Sequence, residues 1–250
     1  MDTSYDELVA AAMAHPFEGW DFSELNPRMR EESTSWSYAR LARSALAGAG
    51  AALDLGTGGG ELLSMLGPLP PRTIATEGWA PNVDVARRRL EPLGVEVVDV
   101  TAAPSELPVP DASMDVVLNK HEEFDPAEVA RVLRPGGTFV TQQVGGRDLE
   151  GLNEALGAPP LEYAEHDLAG SVRDVERCGL RVTASGEEFP PTRFTDIGAV
   201  VLFLRIAPWQ VGEFTLDAYD APLRALHDRI RADDGFDVWA HRFHLVAERT

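Results

Sequence analysis

The sequence predicts an α/β fold, a mostly parallel sheet with helices on both faces, and three observations predict it. From Ala51 onward, short apolar runs that end in glycine or an acid alternate with amphipathic stretches. Four glycines within five positions, Gly56, Gly58, Gly59 and Gly60, close the first such run and open a helix. No stretch of Pro/Gly/Ser character divides the 250 residues. Strands alternating with helices bury a parallel sheet between helical layers, and a chain without a linker is expected to form one domain, 1–250.

Residues 1–50 read as a helical cap, with helices over Tyr5–Ala14 and near Ser35–Gly48, the second stopped by Gly48 and Gly50. The core over 51–145 carries predicted strands at 51–56, 72–77, 95–100, 114–119 and 137–144. Its helix Pro126–Arg134 is signalled at both ends, by Asp125 as N-cap with Pro126 in the first position and by Pro135-Gly136-Gly137 as a stop. Over 146–250 the pattern predicts a helix near 165–178, a strand at 180–189 and a last strand at 239–249. Between those strands lies a helical insertion at about 194–236, two helices joined by an aromatic turn at Pro208-Trp209-Gln210.

With 22 Lys+Arg against 41 Asp+Glu, the formal charge is −19. Nonspecific nucleic-acid affinity depends on cationic side chains replacing condensed counterions, so nucleic acid and anionic membranes are disfavoured partners. The lone Cys178 cannot close an intramolecular disulfide, and no CxxC or His-x-His spacing offers a metal site, which points to a reducing, cytoplasmic compartment. The acidic N-terminus lacks a signal-peptide pattern, and no apolar run approaches the about 20 residues of a membrane span.

A glycine-rich strand-to-helix turn is where an α/β sheet takes nucleotide-like ligands, because glycine adopts positive φ and lets backbone approach the ligand. The dinucleotide fingerprint G-x-G-x-x-G, counted from Gly56, meets Glu61 where its third glycine belongs, and the lysine of a P-loop is absent. What the run does satisfy is Asp-x-Gly-x-Gly-x-Gly, over Asp54, Gly56, Gly58 and Gly60. It resembles motif I of the class I S-adenosylmethionine (SAM)-dependent methyltransferases of the type 11 kind. Acids at Asp54 and Glu61 suit a cationic ammonium and sulfonium and repel a pyrophosphate. Glu77, about twenty residues on, ends the second strand, and the segments 105–124 and 129–140 are similar to the family's stretches around its fourth and fifth strands.

The resemblance covers about residues 50–145 and implies a Rossmann-like seven-stranded sheet with SAM as cofactor and S-adenosylhomocysteine as product. It implies that Asp54, Gly56, Thr57, Gly58 and Gly60 surround the methionine end, that Glu77 takes the ribose hydroxyls, and that Gly78 and Trp79 lie against adenine. One departure stands out: the family's adenine-binding Asp is Ala103 here, leaving Asp99 and Thr101 as the candidates. Asn119 falls where the family approaches the methionine moiety and the transferring methyl.

Methyl transfer needs proximity and alignment, plus a base if the nucleophile arrives protonated. His121, two residues past Asn119, is the leading candidate base, with Glu122 and Glu123 as alternatives. The Asn/Asp-Pro-Pro motif of amino-group methylation is absent, and Cys178 is remote from the turn, so a small-molecule acceptor at O, N or C is expected. The alternatives are an rRNA, tRNA or protein methyltransferase, or a SAM-binding protein of other chemistry. Phe17, Trp20, Phe22, Trp36 and Tyr38, with Phe203, Trp209, Phe214 and Tyr219 of the insertion, form either an aromatic lid or core packing. Arg28 or Arg30 is a candidate for the methionine carboxylate or an acidic substrate, and the expected assembly is a monomer or homodimer.

Overall fold

The computed structural model describes residues 4–16, 25–103 and 106–250, so Phe17, Trp20 and Phe22 lie outside the described residues. In chain order its elements begin α1 (Tyr5–Ala14), β1 (Met29–Glu31), α2 (Tyr38–Leu46), β2 (Ala51–Leu55), α3 (Glu61–Met65), β3 (Arg72–Glu77), α4 (Ala80–Leu90) and β4 (Val95–Asp99). They continue β5 (Met114–Lys120), α5 (Pro126–Val132), β6 (Leu133–Val144), α6 (Glu150–Leu156), α7 (Leu168–Arg177), β7 (Leu180–Glu188) and β8 (Pro191–Phe194). The last are α8 (Ile197–Ile206), α9 (Leu216–Asp233), β9 (Phe236–Trp239) and β10 (Arg242–Arg249). Contacts gather these into a sheet unit, Ser35–Val144 with His166–Glu188 and Arg242–Thr250, and a helical unit, Met1–Thr34 with Gly145–Glu165 and Phe189–His241. The expected cap over 1–50 is thus divided after Thr34, and the insertion at 194–236 lies wholly in the helical unit.

The sheet unit holds seven strands in the order β4-β3-β2-β5-β6-β10-β7. Every pairing from β4 to β6 is parallel, and β10 runs antiparallel to both β6 and β7. Strand alternation sends successive side chains to opposite faces. Leu53, Leu55, Val117 and Phe139 therefore pack with Val129 of α5 and Val175 of α7 on one side. Ala52, Val116, Leu118 and Val140 pack with Ala42, Leu63 and Ala86 of α2, α3 and α4 on the other. Winding reverses between β2 and β5, and such a switch point opens a crevice beyond the C-terminal strand ends. Asp115 fixes the opposite end of this junction: its Oδ2 accepts from the backbone N–H groups of Gly50 and Ala51, each at 2.8 Å.

Some boundaries differ from the sequence expectation for local reasons. Helix α5 ends at Val132 because Leu133 is already extended and pairs with Met114, so Pro135-Gly136-Gly137 lies inside β6 rather than after a helix. Gly136, at φ +77°, turns the backbone where the register with β5 shifts. The predicted last strand at 239–249 begins at Arg242 instead, and Trp239 ends β9, which belongs to a different sheet.

The helical unit contains a three-stranded antiparallel sheet, β1-β8-β9, that sequence periodicity does not reveal. Helix α8 is buried on nearly all sides, as its continuous apolar sequence requires. Asp196 caps it by accepting from Ala199 N–H at 2.9 Å, and the same carboxylate takes two bonds from Arg28, at 2.8 and 2.6 Å. Arg28 is therefore committed to α8, and Arg30 donates to Pro27 O at 2.9 Å. Replacing Asp196 by Ala removes a cap and strands a half-buried guanidinium, an expected loss of about 2–3 kcal/mol. Thermal unfolding checks this, and Asp196→Asn, which keeps the cap, falls about midway. Among the described residues no helix is long and apolar enough to cross a membrane.

Candidate functional site

The crevice predicted by the strand order is built from three strand ends of the sheet unit. At the end of β2 the chain turns through Gly56, Gly58 and Gly60 at φ +61°, +62° and +79°. A left-handed backbone is strained for residues with a Cβ, and the surroundings exclude one at two of these positions. At Gly56 a Cβ would come within 2.4 Å of Glu122 Cγ, and at Gly60 within 2.7 Å of Leu90 Cγ. At Gly58 it would meet nothing within 4 Å. The loop is thus open at Gly58 alone of the three.

Glu77, at the end of β3, is buried and organises this loop. Its Oε2 accepts from Gly58 N–H at 2.6 Å and its Oε1 from Trp79 N–H at 2.7 Å. Loss of solvation raises its pKa, and the backbone donors of Trp79, Gly58 and Gly78 oppose that rise. The N–H of Thr57 donates to Thr76 O at 2.9 Å, tying the turn to β3 a second time. Asp54 lies beneath the loop, where loss of solvation pushes its pKa up to about 7; the Thr57 hydroxyl lowers it and the Glu77 charge adds to the rise. Beside it the Tyr38 hydroxyl is buried, its pKa raised well above the ordinary tyrosine value by lost solvation and then by the Asp54 charge, while the Asn119 backbone opposes that rise.

Beyond Glu77 a cavity of about 360 Å³ is lined by Leu55, Gly56, Gly78, Val100, Leu107 and Phe124, among others. Trp79, next in sequence to the lining residue Gly78, is 51% exposed. Asp99 is directly opposite Glu77 in the β3–β4 register, and its Oδ1 accepts from Thr101 N–H at 2.9 Å, which holds its carboxyl below the usual range.

The β5 end differs most from expectation. Asn119 is fully buried and its side chain is engaged throughout: Nδ2 donates to Glu122 O at 3.1 Å, and Oδ1 accepts from Thr141 Oγ1 at 2.7 Å and Gln143 Nε2 at 2.5 Å. It holds the 120–122 turn. His121 takes φ +60° in that turn, and its Nε2 lies 3.1 Å from Gln142 Nε2. His121 is exposed as a residue, yet protein surrounds its ring closely, so lost solvation and then the charges of Lys120 and Arg242 hold its imidazole well below the ordinary histidine range. Glu122 lies across Gly56, its pKa raised by lost solvation and by the charges of Glu77 and Glu123.

Two charges sit elsewhere than the motif suggests. Glu61 turns away to Arg89, whose guanidinium also donates to Gly59 O, so the negative potential over the loop comes from Asp54, Glu77 and Glu122 instead. Gln142 also escaped sequence reasoning, and Tyr38 figured there only as one aromatic of a lid or of core packing.

A family model described as a methyltransferase domain matches residues 53–141. Those residues hold β2 through β6, the glycine turn, Glu77 and the His121 turn. Residues 53–141 are thus similar to a methyltransferase domain. The donor set fits SAM: three carboxylates suit a cation, and Gly58 leaves open space at the loop. The chain is 35% identical over 97 residues to a demethylmenaquinone methyltransferase of Thermus thermophilus, 35% of this chain and 44% of that protein. It is 33% identical over 121 residues to a protein-L-isoaspartate O-methyltransferase of Cellvibrio japonicus, 46% of this chain and 54% of that one. The chain thus spans about half the length of these curated relatives. The solved structure of YcgJ from Bacillus subtilis superposes with a TM-score of 0.60 at 16% identity, covering 85% of this chain and 97% of that one, a likeness of fold alone.

Proposed function

We propose that this chain transfers the methyl group of SAM to a small-molecule acceptor. The observation that carries the proposal is the anionic crevice at the switch point, where Asp54, Glu77 and Glu122 face a glycine turn open at Gly58. Bound there, SAM supplies an electrophilic methyl carbon whose sulfonium leaves as a neutral thioether. Asp54, Thr57 and the Gly56–Gly60 turn would hold the methionine end, Asp54 as counter-ion to the ammonium. Glu77 would accept from the ribose hydroxyls with lone pairs left over from its two backbone bonds. Gly78, Trp79, Val100 and Leu107 would enclose the adenine, with Asp99 and Thr101 as polar neighbours, and Asn119 would act by fixing the turn that carries His121.

The acceptor class rests on charge: a chain at −19 repels polyanions, which argues against RNA. Of the two relatives, one is named for demethylmenaquinone and the other for protein L-isoaspartate. Methyl-labelled SAM separates these readings. Incubation with a panel of low-molecular-weight acids, phenols and amines is expected to place label in a small product, with S-adenosylhomocysteine in equal amount. Label appearing only in acid-precipitable protein or RNA would overturn the small-molecule assignment.

A further inference from the structure

The orientation of His121 is determined by residues more than a hundred positions apart. The indole N–H of Trp36 can only donate, and it meets Gln142 Oε1 at 2.8 Å. The Gln142 amide therefore turns its oxygen to Trp36 and its NH₂ to His121, whose Nε2 is 3.1 Å away. An amide NH₂ also only donates, so Nε2 accepts, and a neutral imidazole that accepts through Nε2 carries its proton on Nδ1. The supports are themselves fixed. Trp36 packs on His244 with ring centroids 4.5 Å apart, Ser35 N–H donates to Glu188 at 3.0 Å, and His121 N–H donates to Gln142 O at 2.8 Å.

We propose that Trp36 and Gln142 lock His121 as an Nδ1–H hydrogen-bond donor, and that the group received there is an anionic oxygen of the acceptor, a carboxylate or an ionised phenol or enol. This rests on the methyl-transfer reading above. The surroundings agree with it: Lys120 and Arg242 are the charges that act on His121, and Glu122 lies over Gly56 instead. A nitrogen that already holds a proton, beside one whose lone pair is occupied, is poorly placed to remove another. An anionic oxygen needs no such step. It forms one C–O bond as one C–S bond breaks, the bonding pair stays on sulfur, and no proton is released. His121, first considered as a base, becomes a residue that orients the nucleophile.

The tautomer can be read without cofactor or turnover. Long-range ¹H–¹⁵N spectra of the full chain labelled at histidine, with His121 assigned by its loss in His121→Asn, are expected to show protonated Nδ1 and bare Nε2 at pH 7. Gln142→Glu places an acceptor at Nε2 and is expected to move the proton there, and Trp36→Phe frees the amide and gives a mixture. Protonated Nε2 in the unaltered protein would overturn the assignment. With S-adenosylhomocysteine present, phenylacetate or 4-nitrophenolate is expected to perturb the His121 signals at concentrations at least tenfold below phenylacetamide, and which of the two binds names the source of the anion. Equal response to the neutral amide, or none to either anion, overturns the anion assignment. Absence of SAM binding alongside the Nδ1–H tautomer would instead sink the methyl-transfer reading and leave the lock standing.

Discussion

Asp54→Asn is expected to raise the melting temperature of the ligand-free protein at pH 8 by about 5 °C or more while removing most of its affinity for SAM. In the folded state the Asp54 carboxyl is pushed up to about 7 from 3.8. The folded chain therefore holds this proton more tightly than the unfolded chain, and stability falls as pH rises. The penalty is absent below about pH 4, grows through pH 7 and is complete above it, at a scale of about 1.36 kcal/mol per pKa unit and so roughly 4 kcal/mol in all. For a chain of this size each kcal/mol is worth about 2–4 °C. Asparagine removes the charge and the penalty together, so the two proteins should converge in stability near pH 4. Such a buried, poorly solvated carboxylate is retained because a cationic ligand offsets its cost.

Gly58→Val is expected to lower SAM affinity at least a hundredfold with only modest loss of stability. The φ of +62° costs a residue with a Cβ about 1–2 kcal/mol. Beyond its own chain neighbours, no atom of the described residues lies within 4 Å of that Cβ, so there is no packing clash to add. Gly60→Ala is the contrasting variant. Its Cβ would press on Leu90, which is fully buried, so it should lose stability and binding together. Comparing thermal unfolding with equilibrium binding for the pair separates a glycine that makes room for a ligand from one that makes room for a helix.

The sheet unit was legible because its strands are apolar runs of five or more residues bounded by glycine or acid, and both faces are covered, as the Leu53/Ala52 alternation requires. Helix α6 was not, since its N-cap is Leu149 at φ +51° with no side-chain cap, leaving none of the usual start signal. The short strands β1, β8 and β9 are three or four residues long, too few for a period of two to register. At the site, the glycine turn and Glu77 followed from spacing, because one strand and one turn dictate their positions. The roles of Asn119 and Gln142 did not. Both depend on which side chains neighbouring strands bring together across the sheet, as with Thr141 and Gln143 around Asn119, and no local pattern encodes that. Glu61 was misplaced for a related reason: its partner Arg89 comes from the far end of α4.

The account rests on a cation meeting Asp54 and Glu77 at the glycine turn, and calorimetric titration of the intact chain with SAM at pH 8 and pH 6 tests it most directly. Micromolar affinity at pH 8 should weaken about tenfold per pH unit below 7 as Asp54 takes up its proton, with protons released on binding at pH 6 and little pH dependence remaining in Asp54→Asn. A well-folded protein that gives no binding at either pH, or an affinity equal at both, would contradict it.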